Sequence, residues 1–193
     1  MRKKVEDLES ERKQHLSKMA MLESLVEDTQ RNLKASTLEV RNIPFTSKIK
    51  SNTDFCKIVV ETCKRVNIQR AEIRNVFSVN SKSGTGTVVA DFTSIILKNR
   101  DILQGVKSFK KQNPNRHLTS VDIGITGQQV PIYISEALTS KGRRLFFLAR
   151  DVAKTKDFKF CWSSNDKIYL HKDVETSRIE VKDEVQLANL RGM

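Results

Sequence analysis

The chain has 193 residues, 38% hydrophobic and 30% charged, enough for one or two compact domains plus a solvent-exposed element. Its 35 Lys and Arg against 23 Asp and Glu leave a formal charge of +12, which favours polyanionic partners, whether nucleic acid or an acidic membrane face. Cys56, Cys63 and Cys161 lie in apolar stretches without CxxC spacing, so the pattern supports neither a disulfide framework nor a zinc site. An intracellular location, nucleus or cytoplasm, fits that usage. With no run of about 18 apolar residues and an opening, MRKKVEDLESERKQ, unlike a secretory signal, neither membrane insertion nor export is expected.

From Val5 a heptad places Val5, Arg12, His15, Met19, Leu22, Val26, Thr29 and Leu33 at the seam positions, together with Leu8. It predicts a helix of roughly 30 residues whose one apolar stripe faces a partner helix. Arg12 and His15 cost the seam stability while helping to fix register or oligomer state. Residues 1–36 therefore read as an oligomerising coiled coil, with a lone helix packed on its own body as the alternative.

Residues 37–127 predict an order βαββαβ. LEVRNIP is a strand ended by Pro44, and Ser51 to Asp54 cap a helix with Phe55, Ile58, Val59, Thr62 and Val66 inward and Cys63 flanking. Strands follow around 71–79 and 85–92, separated by the turn NSKSG. A second helix carries Ile95, Ile102, Val106 and Phe109, and the strand SVDIGI closes the unit. Residues 128–193 form a smaller α/β unit: IYISEAL, a helix capped by Thr139, strands FKFCW, KIYLHKD and SRIEV, and a short helix after Asp183 through Val185, Leu187 and Leu190. Ser163 to Asp166 has the chemistry of a hairpin turn. The fold class is thus α+β.

The middle unit holds most of the net positive charge, with 15 basic against 7 acidic residues. Lys107, Lys110, Lys111 and Arg116 cluster near the end of its second helix as candidate phosphate contacts. On the helix after Thr139, Leu145, Leu148, Ala149 and Val152 form one stripe. Arg143, Phe147, Arg150 and Lys154 lie opposite, with Arg144 to the side. Cations with an interleaved aromatic are what a single-strand binder uses for phosphates and stacking. Alternation groups Trp162 with Phe158 and Phe160 as core, and turns Tyr169 outward with Lys167 and His171. No glycine-rich phosphate loop, nucleophile elbow or HExxH occurs, and the three histidines are scattered, so neither an enzyme nor a cofactor or metal is indicated.

Leu38 to Ile43 resembles the short signature of the RNA-recognition motif, except that Glu39 stands where its aromatic belongs. Thr85 to Phe92 resembles the longer signature, with Thr87 and Val89 at the stacking positions. The expectation is an RRM-like topology without the aromatic platform.

The stretch from IYISEAL through KIYLHKD to SRIEV resembles the C-terminal domain of the baculovirus few-polyhedra (FP) protein family. LEVRNIP directly after a coiled coil is similar to that family and to the first-open-reading-frame proteins of LINE-type retrotransposons. The second resemblance implies trimeric, single-strand binding and nucleic-acid chaperone activity, with Arg143-Arg144 matching a basic pair implicated in binding. It also implies a trimer-associated pattern at Lys4 to Glu9 and Lys18 to Glu23, where Lys replaces the usual Arg and leaves trimer and dimer both open. The viral branch implies virion occlusion and nuclear trafficking, with a viral or host protein as partner. The combined expectation is a homo-oligomer that binds single-stranded RNA or DNA.

Overall fold

A computed structural model describes residues 2–44, 69–80, 85–123, 125, 127–173 and 175–192. The helix expected after Ser51, with Cys56 and Cys63, and most of the turn NSKSG lie outside the described residues. The protein is α+β. Helix α1 spans Arg2–Lys34, unbroken by Pro or Gly. Two tight-turn residues then lead into strand β1, Thr37–Pro44.

Strands β2, Ile73–Asn80, and β3, Thr85–Phe92, pair antiparallel, and β3 pairs with β1. A one-residue irregularity at Asn42, whose φ is +67°, bends β1 just before Pro44. The fourth strand departs from expectation. Where SVDIGI was expected as a strand, Val121–Ile123 form a 3-10 turn. Asp122 accepts from the Thr119 backbone amide and hydroxyl at 2.9 and 2.7 Å, and Ser120 Oγ donates to the Gln128 carbonyl at 2.9 Å. These local bonds draw the backbone out of a ladder. Strand β4 is instead Tyr133–Glu136, antiparallel to β1, so the sheet runs β2-β3-β1-β4. IYISEAL thus supplies an edge of the first sheet.

Against one face of this sheet lies a helix that begins π-helically over Leu97–Leu103 and continues as α2, Gln104–Gln112. The i→i+5 spacing explains why Leu97 and Ile102 are both buried. It also turns Ile95, expected inward, out to solvent. Leu38, Val40, Val88, Ala90 and Phe92 complete this core from the strands.

Helix α3, Ser140–Thr155, begins at Thr139, whose hydroxyl accepts from the Gly142 amide at 2.9 Å. Strands β5, Phe160–Ser164, β6, Lys167–His171, and β7, Ile179–Val181, form a second antiparallel sheet in that order. Helix α4, Glu184–Gly192, is capped by Asp183, whose carboxylate accepts from the Gln186 amide at 2.7 Å. Leu145, Ala149 and Val152 of α3 meet Ile168, Leu170, Val181 and Leu187 in a second core. Val185, expected to pack there, is exposed. Cys161 borders this core, and burial pushes its thiol up to about 11, leaving it protonated and unreactive at neutral pH.

Candidate nucleic-acid interface

The stripe on α3 read from the sequence is buried at Leu145, Ala149 and Val152, with Leu148 partly so. Arg143, Phe147, Arg150 and Lys154 point to solvent, Phe147 being 73% exposed. Lys107, Lys110 and Lys111 are exposed on α2, with no ion pair among the described residues. The remaining expected cations are engaged internally. Arg116 pairs with Asp122 and lies 5.9 Å from the Phe109 ring centroid. Lys167 is 3.2 Å from Glu180. Arg150 lies 6.0 Å from the Phe146 centroid, still solvent-exposed.

The adjacent arginines diverge. Arg143 donates to the Leu138 carbonyl at 3.3 Å and lies 3.7 Å from Glu39 on β1. Arg144 makes two bonds to Glu184 on α4, and the hydrogen bond from Arg144 holds that carboxyl below the usual range. Glu39, at the position where the RNA-recognition signature has an aromatic, is buried and flanked by Arg143 and, at 4.0 Å, Arg41. Its cross-strand partner is Val89, and Thr87 faces Arg41. The middle of this sheet face therefore carries no aromatic, and Phe77 and Tyr133 are exposed toward its two edges.

Three sequence expectations in the second sheet are corrected, those for Tyr169, Trp162 and Phe160, the last expected in the core. Tyr169, expected to be exposed, is only 9% so. Trp162, expected in the core, lies beside it on the outer face: the two are register partners with ring centroids 5.4 Å apart and planes 25° apart. Arg178 lies over the Tyr169 ring, 5.0 Å from its centroid. Phe160, 48% exposed, and His171 continue the row, their centroids 6.0 Å apart. Facing α3 instead are Cys161, Ile168 and Leu170.

The turn read at Ser163 to Asp166 carries the register, once only its last two residues are taken as the turn. Asn165 and Asp166 both have positive φ, as a two-residue type I′ turn requires, and this pairs Ser164 with Lys167. Counting back from that pair puts Trp162 opposite Tyr169, so the two must share a face.

The arrangement is a basic helix face with an exposed Phe and a separate sheet face of stacked aromatics and cations. Among the described residues no group of His, Cys, Asp or Glu is placed to hold a metal ion, and no helix is long and apolar enough to cross a membrane. The class this defines is an α+β chain with a long N-terminal helix and a small C-terminal α/β unit. Residues 139–191, from the cap of α3 into α4, match the family described as Baculovirus FP protein domain 2. No curated protein matches the chain.

Proposed function

We propose that the protein is an oligomeric binder of single-stranded nucleic acid with little sequence preference. The observation that carries this reading is the outer face of the second sheet, where Trp162, Tyr169 and Phe160 lie with Arg178. Aromatic and guanidinium planes accept any base by stacking, while Lys107, Lys110, Lys111, Arg150 and Lys154 meet phosphates without reading sequence. Glu39, Thr87 and Val89 remove the central stacking positions of the first sheet, so affinity per copy is modest. The strand order β2-β3-β1-β4 supports an RRM-like reading of that sheet. The exposed seam Val5, Leu8, Met19, Leu22, Val26 and Leu33 is covered by further copies, three being favoured over two, and avidity raises the affinity.

Fluorescence anisotropy with a labelled oligonucleotide tests the reading. Affinity falls steeply as salt rises, and Trp162→Ala weakens it. Salt-insensitive binding, or none at low salt, rejects it.

A second reading is a viral structural adaptor acting through protein contacts in virion occlusion and nuclear trafficking. It is favoured by the ion pairs that already occupy Arg116, Arg144 and Lys167, together with the FP domain match. Partners retained after nuclease treatment distinguish it.

A further inference from the structure

The last turns of α1 work on two faces. Thr139 Oγ donates to Glu27 Oε1 at 2.6 Å, Arg31 Nε lies 3.0 Å from Asp166, and Lys34 Nζ donates to the Leu138 carbonyl at 3.2 Å. At about 100° per residue Glu27, Arg31 and Lys34 share one side of the helix. Val26 and Leu33 lie on another and remain exposed. The body is therefore attached to α1 without covering the apolar seam.

Thr139 belongs to both sides of this junction. Its fully buried hydroxyl donates to Glu27 while accepting from the Gly142 amide, so one oxygen joins α1 to the first turn of α3. Nearby, Lys98 and Glu136, 2% and 6% exposed, pair at 3.9 Å, and Asn99 donates to Asn165 in the β5–β6 turn at 2.9 Å. Arg31, Lys98, Glu136 and Asp166 line a cavity of about 350 Å³. Glu136 Oε1 is buried there and accepts no hydrogen bond among the described residues. A charged contact with an unsatisfied acceptor is costly to desolvate and opens more readily than a well-packed apolar core.

We propose that this cluster is a latch: closed, it fixes α3 and the β5–β6 turn on α1, so that copies joined through α1 hold their α3 faces at a set angle. The role of α1 in joining copies rests on the proposed function. The latch itself is tested on the full chain without nucleic acid, so failure to bind a strand leaves its result readable.

Glu27→Met keeps a helix-favouring side chain and removes the acceptor. Amide hydrogen exchange at Gly142 and Arg143 is expected to quicken about tenfold, the loss of one charge-assisted hydrogen bond, while Val88 and Leu170 are unchanged. Glu27→Gln keeps an acceptor oxygen and restores most of the protection. Where Glu27→Met fails to fold, Arg31→Met opens the junction from the Asp166 side and the readout moves to the amides of Asp166 and Lys167. Unchanged exchange at these amides in the folded variants overturns the latch.

Discussion

Arg144 grips Glu184 with two hydrogen bonds, Nε to Oε1 at 2.6 Å and Nη2 to Oε2 at 3.1 Å. Arg144, a sequence candidate for phosphate contact, is thus already engaged by a carboxylate on α4. Strand binding requires exchange of one anion for another. Glu184→Gln is expected to tighten oligonucleotide binding and to steepen the slope of log affinity against log salt by about 0.7, one added single-strand phosphate contact. Salt titrations of both proteins measure it, and an identical slope places Arg144 outside the interface.

The chain holds one tryptophan, and it sits on the outer face of β5. Its fluorescence therefore reports on that surface alone. Binding of an unlabelled oligonucleotide is expected to quench it. Trp162→Ala is expected to cost about 1–3 kcal/mol of binding, the usual size of one base-stacking contact. Phe147→Ala, which removes a ring with no aromatic contact among the described residues, leaves the melting temperature unchanged while also weakening binding. Full retention of affinity in both variants argues against stacking.

How much of this was legible in the sequence depends on how local the determinant is. The cap at Thr139 and the buried stripe of α3 follow from residues within one or two turns of each other. Trp162 was misplaced because alternation within one strand fixes neither its register with the next nor which face is inward; the Asn165-Asp166 turn supplies the register that pairs Trp162 with Tyr169. SVDIGI has strand composition, yet the hydrogen bonds of Asp122 and Ser120 outweigh that propensity. The pair Lys98–Glu136 and the junction of Glu27, Thr139 and Asp166 were illegible. They join residues as many as 135 positions apart, Arg31 and Asp166, which no periodicity encodes.

Asp166 gives that junction a pH dependence. Burial pushes its carboxyl above the ordinary carboxylate range; Arg31 opposes this, Glu136 and Glu27 add to it, and the Thr139 amide opposes it. The folded chain therefore holds this proton more tightly than the unfolded chain does. Its contribution is fully present below the unfolded value of about 4 and is lost as pH rises through the raised folded value. Thermal melts across that window should show a matching fall that Asp166→Asn flattens. A rise with pH attributable to Asp166 contradicts the assignment.

Leu22 and Val26 lie mid-seam and are exposed in the single chain. Leu22→Asp with Val26→Asp is expected to separate the copies and to lower strand affinity by about 10²-fold or more through lost avidity, without touching a cation. Equal affinity in the separated form assigns binding wholly to one body.

The most direct test is the molar mass of the full chain by light scattering, with and without a single-stranded oligonucleotide at low salt. The account predicts a multiple of 22.1 kDa alone, three copies being favoured, and a heavier species carrying the oligonucleotide when it is added. A mass of 22.1 kDa that does not change on adding the strand contradicts it.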